Sequence, residues 1–319
     1  MREHFFPDFD WRTVFVQPWT EYGDNSFWIV LMGFLVSGTC GLVGCFVILR
    51  RMALVGDAIS HSLLPGITIA FLLTNSRDTL PMMLGAIAAG ITTVVLIEAI
   101  RHSSRIKPDA AIGIVFSSLF AIGIILISVF ADKIDLDAEC VLYGELGFIP
   151  LQDIAMFGGV EIGPEPVIRM AIIAVIAIGL LIAFFKEMLV TSFDPGLAAS
   201  LGINPTRYQY GLTLFLSVVI VSSFESVGVV LVIAMIIFPG ATALLITDRL
   251  TKAIWLSILF SLLYAILGFH LATWLEASIA GGMTVIAGFI FGLVWMAAPK
   301  RGLLTKLVKR SFKRKTTSP

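Results

Sequence analysis

Along this chain, runs of about twenty apolar residues alternate with short clusters of charged residues, proline and glycine. At 1.5 Å per residue, a helix of about 20 residues crosses the roughly 30 Å hydrocarbon layer of a bilayer. Nine stretches approach or reach that length: roughly 27–49, 53–73, 81–100, 109–130, 167–188, 208–224, 226–247, 252–275 and 278–298. The pattern predicts an all-α polytopic membrane protein with about nine transmembrane helices. Only Phe224-Glu225-Ser226 separates the sixth stretch from the seventh, so the predicted reversal there is very tight. Residues 1–26 precede the transmembrane domain 27–298, and residues 299–319 follow it.

Composition removes the competing classes. Of 319 residues 58% are hydrophobic and only 14% are charged, with a mean hydropathy of +0.96. A soluble domain carries about 25% charged residues. A soluble enzyme, a disordered chain and a nucleic-acid binder are excluded. Net charge is zero, yet the charges are segregated. With the C-terminus in the cytoplasm and the N-terminus outside, 17 of the 22 lysines and arginines lie inside; Arg2, Arg12, Arg77, Lys133 and Arg169 lie outside. That is the positive-inside distribution, and the opposite orientation would invert it. The outer segment 131–166 holds eight Asp and Glu against Lys133, a field that concentrates cations or meets a charged partner. The basic tail, LLTKLVKRSFKRK, suits membrane lipid headgroups, and no nucleic-acid role is expected. Cys40, Cys45 and Cys140 form no C-x-x-C pair and predict no disulfide framework. The first 16 residues lack a basic region followed by a short apolar run, so no cleavable signal peptide is expected.

Ionisable residues inside spans are costly, at least ~2.5–3.5 kcal/mol each, and therefore informative. Asp57 and His61 lie in the second span, in RRMALVGDAISHSLLPG. Four residues apart on a helix, they share one face, and a carboxylate with a neutral imidazole suits Mn²⁺, Fe²⁺ or Zn²⁺. Counted from Met52, His61 sits roughly 13 Å deep, near the midplane where transporter sites lie. Pro65-Gly66 follows and is expected to break or kink the helix. The competing reading is a self-neutralising pair that holds two helices together. His270, in the eighth span, falls near the outer membrane edge, and Glu276 is expected at a solvated helix end. Glu225 sits at the turn after the sixth span, and Phe238-Pro239-Gly240 is a second expected kink. Gly38, Gly41, Gly44, Gly288 and Gly292 suit close helix packing.

The chain has no G-x-x-x-x-G-K-[ST], no H-E-x-x-H and no G-x-S-x-G, so nothing reads as catalytic. A cytoplasmic segment, TSFDPGLAASLGINP, reads instead as a short exposed helix. Asp194 N-caps it, Pro195 is its first residue and Gly202 stops it. Small and apolar residues on such a helix suit a groove on a partner protein, or the membrane surface.

In this order, RRMALVGDAISHSLLPG, SFDPGLAASLGI, FESVGVVLVIAMIIFPGATALL and GFHLATWLEASIAGGMTVIAG resemble the permease subunits of bacterial metal-ion ABC importers for zinc, manganese and iron. The likeness runs from about Trp28 to Leu304, and the first 26 residues lie outside it. The resemblance implies a type II ABC importer-like fold in the bacterial plasma (inner) membrane, with no permanently bound cofactor. It implies two cytoplasmic ATPase subunits, an outer solute-binding protein that delivers the ion, and a second permease chain, identical or related. It also implies that Asp57 and His61, and more weakly His270, line the ion's path. Asp194, Pro195, Ala198 and Gly202 would then belong to the coupling helix, about 194–202, that docks on the ATPase. By likeness alone, the GFHLA and SIAGG segments lean toward manganese or iron. A self-powered secondary carrier is the main alternative, ahead of a non-transport membrane scaffold or intramembrane enzyme.

Overall fold

The computed structural model describes residues 7–75, 79–130, 146–157, 160–298 and 302. The acidic residues of 131–145, Cys140 and the basic residues of the tail lie outside the described residues. A π-helical turn, Arg12–Val16, leads into α1 (Gln17–Thr20) and α2 (Gly23–Leu49). Then come α3 (Ala53–Thr74), α4 (Thr79–Ser103), α5 (Pro108–Val129) and a 3₁₀ turn, Leu146–Leu151. A hairpin of β1 (Ile154–Phe157) and β2 (Val160–Pro164) precedes α6 (Glu165–Ala183), α7 (Phe185–Phe193) and α8 (Pro195–Ser200). The chain continues through α9 (Pro205–Ile246), α10 (Leu250–Leu275) and α11 (Ile279–Ala297).

Seven of these helices are long and apolar enough to span a membrane, at the first to fifth, eighth and ninth predicted stretches. The sixth and seventh stretches differ from expectation. Helical pairing continues through Phe224-Glu225-Ser226, none of which is a strong helix breaker, and α9 is interrupted instead at Gly228 (φ 74°, ψ 167°). That backbone conformation favours glycine, which has no Cβ to clash. Unbroken, the 42 residues of α9 would measure about 63 Å, twice a hydrocarbon layer. Beyond the break, Val230–Ile246 is a shorter apolar helix.

The two expected proline kinks do not break their helices: Pro65 lies within α3 and Pro239 within α9. Each ring sits where a facing residue has no side chain, Pro65 against Gly123 and Pro239 against Gly41. The hairpin and the N-terminal turns were not foreseen. β1 and β2 pair antiparallel, with Ile154 opposite Pro164 and a bulge between Ala155 and Met156.

The fold divides into two compact units. One comprises Met1–Ile48, Leu146–Val167 and Ala234–Pro319. In it α10 packs along α11, and Tyr264 and Thr242 share a buried hydrogen bond of 2.9 Å. Gly44 of α2 approaches the Ile236 carbonyl as closely as expected, but nothing lies within 4 Å of a Cβ at Gly292, so the Gly288/Gly292 expectation fails there.

The other unit comprises Leu49–Glu145 and Ile168–Ile233, and α3 is its centre, packed on both α4 and α5. A Cβ on Gly66 would press on the Gly85 carbonyl oxygen, and one on Gly85 would press on that of Gly66. Beside this seam Ser62 and Thr93 join their hydroxyls at 2.6 Å, both fully buried. Helices that meet backbone to backbone have no flexible side chain to yield. Gly66→Leu should therefore cost about 1–3 kcal/mol and lower the thermal midpoint of the detergent-purified protein. Gly292→Ala, facing open space, should leave it unchanged.

Candidate functional site

Helix α3 presents Asp57 and His61 one turn apart, with Asp57 Oδ1 3.5 Å from His61 Nε2. Their side chains are 42% and 30% exposed, so the pair faces an open space instead of closing on itself. Two ligands held about 2.0–2.2 Å from one ion, at 90–109° to each other, stand about 3.0–3.5 Å apart. The observed separation lies at the upper end of that range. Phe116 and Phe120 of α5 set the imidazole, with ring centroids 5.3 and 5.7 Å from it. Their i, i+4 spacing in IVFSSLF was the available signal for this wall, and the sequence reading passed over it. Pro65, four residues after His61, brings no N–H to the His61 carbonyl, so that oxygen lacks its usual helical donor. Among the described residues, no three His, Cys, Asp or Glu gather into one group. By themselves Asp57 and His61 offer two candidate ligands.

His270 belongs to the other unit and has partners of its own. Its Nδ1 lies 2.9 Å from the Val14 carbonyl, which can only accept, so Nδ1 carries the proton. Its Nε2 accepts from Trp19 Nε1 at 3.3 Å. Both ring nitrogens are thus occupied and the residue is only 8% exposed, with Phe15 packed on the ring at 4.7 Å. Trp274 Nε1 donates to the Pro7 carbonyl, and Phe9 packs edge-on against Trp274. Asp10 accepts from the Thr13 hydroxyl and the Arg12 N–H, which hold its carboxyl below the usual range. In this geometry His270 anchors the N-terminal segment. Glu276, exposed in the left-handed conformation, ends α10 as expected; the Glu225 side chain lies outside what is described.

The short helix α8 forms as its residues dictate. The Asp194 carboxylate accepts from the Leu197 N–H at 2.9 Å, Pro195 opens α8, and Gly202 (φ 80°) lets the Ile203 N–H reach the Ala198 carbonyl. Ala198 is fully buried, so it seats the helix on its own chain. The outward face is Phe193, Leu197 and Leu201, at 59%, 50% and 63% exposure.

The model of the ABC 3 transport family matches residues 24–298. The chain belongs to that family. It is 44% identical over 282 residues to the manganese transport system membrane protein MntD of Bacillus subtilis, covering 88% of this chain and 95% of that one. It is 41% identical over 286 residues to the zinc transport system membrane protein TroD of Treponema pallidum, covering 89% and 77%. Its fold is similar to PsaBC from Streptococcus pneumoniae, solved in complex with a Fab, with a TM-score of 0.71, 33% identity, and 86% and 92% of the two chains covered. As an ABC 3 transport protein the chain is a multi-pass membrane protein, and the family match begins just after the segment that His270 anchors.

The His270 geometry makes a distinct prediction. His270→Ala should free the N-terminal segment, and trypsin should cut after the exposed Arg12 several-fold faster than in the wild type. Unchanged cleavage would mean that Val14 and Trp19 do not depend on this ring.

Proposed function

We propose that this chain is the permease subunit of an ATP-driven importer of divalent transition-metal ions, with manganese the principal substrate. The observation that carries this reading is the half-exposed Asp57–His61 pair on a predicted span of an ABC 3 transport family member. A carboxylate and an imidazole without a thiolate accept Mn²⁺, Fe²⁺ and Zn²⁺; the printed functions of MntD and TroD are manganese and zinc transport. The ion leaves a solute-binding protein on the outer face and exchanges part of its hydration shell for Asp57 and His61. Two protein ligands bind weakly enough to release, as a conduction path requires. Water, or the same pair on a second permease chain, completes the coordination. His270 is a poor ligand while Trp19 and Val14 hold both its nitrogens. ATP is hydrolysed on separate cytoplasmic subunits that receive α8 through Leu197 and Leu201, with Asp194, Pro195 and Gly202 fixing the helix and Ala198 seating it. The N-terminus lies outside and the C-terminus in the cytoplasm, as the basic residues favour.

The test is the manganese, zinc and iron content, by mass spectrometry, of metal-limited cells lacking the gene and rescued with variants. Wild type should restore manganese, while Asp57→Ala and His61→Ala should each reduce uptake roughly tenfold or more. Zinc or iron falling in place of manganese would reassign the ion, and no metal changing would overturn the transport reading. Full uptake by both variants would sink the site alone. Separately, the double variant Leu197→Glu/Leu201→Glu should lose the co-purifying ATPase subunits while the chain itself still accumulates in the membrane.

A further inference from the structure

Two polar joints grip the two flanks of α8, and neither serves the ion directly. Before α8, Arg50 in the loop entering α3 donates from Nε to Ser192 Oγ at 3.0 Å and from Nη2 to Thr191 Oγ1 at 2.7 Å. Both hydroxyls already give their own protons to carbonyls of α7, Ser192 to Met188 and Thr191 to Glu187, so their lone pairs are fixed toward the guanidinium. Ser192 is two residues from Asp194, the N-cap of α8, and Arg50 is three residues from the start of α3. After α8, Gln209 in the first turns of α9 donates from Nε2 to Glu98 Oε1 of α4 at 2.8 Å. Glu98 is 5% exposed and is also held by Arg101. Five residues along α4, Thr93 meets Ser62, the neighbour of His61, and the Gly66/Gly85 seam leaves α3 and α4 no room to slide independently. All of these groups lie in one compact unit.

We propose that Arg50 and Glu98 are positioning residues that transmit movement of α8 to α3, and so to the Asp57–His61 pair. The proposal rests on the reading of α8 as the ATPase-docking helix. The Arg50 fork pulls on the entry to α3, and Glu98 carries the other flank through α4 to the same helix. A force applied at α8 therefore moves the metal-binding turn as part of one body. Arginine suits the first joint because its planar fork reaches two adjacent hydroxyls at once, which a lysine ammonium does with less fixed geometry. The buried Glu98 suits the second because a carboxylate out of water holds strongly to its donors.

The experiment measures manganese uptake and ATP hydrolysis together, in proteoliposomes containing the complete complex with its ATPase subunits and binding protein. Arg50→Ala should leave ATPase stoichiometry at the wild-type level and hydrolysis within twofold, while ions moved per ATP fall about tenfold. Arg50→Lys should recover part of that ratio. The double variant Thr191→Val/Ser192→Ala should show the same loss, and adding Arg50→Ala to it should cost nothing further, because the three groups form one joint. Ser192→Ala, which removes one prong and no charge, provides an intermediate ratio should the Arg50→Ala chain itself fail to accumulate in the membrane. Glu98→Ala should also lower the ratio, while Glu98→Gln, which can still accept from Gln209, should lower it less. Uptake and hydrolysis falling in proportion, or neither changing, would overturn the proposal, as would loss of the ATPase from Arg50→Ala. Failure of the docking reading would be seen separately, as ATPase retained by Leu197→Glu/Leu201→Glu.

Discussion

In hydrocarbon, a polar group has no water to turn to and must find its partner within the protein. Many hydroxyls in the helices of this chain follow that constraint. Ser60, Thr68, Thr93, Thr213, Ser223 and Thr242 each return a hydroxyl proton to a carbonyl four residues back on their own helix. Where two helices share a polar contact, as at Ser62–Thr93 and Thr242–Tyr264, both groups are buried and paired. Glu98 has both Arg101 and Gln209. Against this background Asp57 and His61 stand apart: a carboxylate and an imidazole in the first half of α3, 3.5 Å apart and 42% and 30% exposed. A pair retained for structure alone would be expected to close and bury itself. The chemistry of an open carboxylate–imidazole pair matches the ligands a divalent cation takes, which is what the proposed function draws on.

The same constraint explains which features were legible in the sequence. Asp57 and His61 stand out because charge is rare in apolar runs and because four residues make one helical turn. The Asp194–Pro195–Gly202 helix was equally readable, since an N-cap, a first-position proline and a left-handed stop are local signals. What the sequence does not reveal is partnership across long separations. His270 has the right chemistry for a ligand, but Val14 and Trp19, about 250 positions earlier, occupy its two nitrogens. Ala198 has the size for a docking contact, but the fold of the segment turns it inward.

The one true interruption, expected at Phe224-Glu225-Ser226, was misplaced for a related reason. Proline inside an apolar helix signals a lost hydrogen bond; Pro65 was expected to break or kink its helix and Pro239 to kink its own. Each is accommodated because a glycine on another helix leaves room for the ring, so α3 and α9 stay helical there. The real interruption needed only one residue able to take a positive φ, Gly228, which carries no mark in a hydrophobicity pattern. The hairpin of β1 and β2 is shorter than any window that separates strand from loop, and its bulge breaks the alternation further.

Close packing around α3 then constrains how such a site can be controlled. With Gly66 against Gly85, Pro65 against Gly123 and Ser62 bound to Thr93, the middle of α3 has no soft side chain to adjust. Dense interiors transmit displacement in place of absorbing it. The spacing of Asp57 and His61, one helical turn, is therefore nearly constant, and under the proposed reading their affinity for an ion would change mainly through what faces them. That places control at the ends of the helix. At the entry to α3, Arg51 adopts a left-handed conformation (φ 57°), a turn geometry uncommon for a residue with a long side chain, next to the Arg50 fork. At its other end, Asn75 (φ 48°) closes the helix in the same conformation. A rigid rod between two sharply defined turns is suited to tilt or shift as a whole, which leaves the spacing of Asp57 and His61 intact.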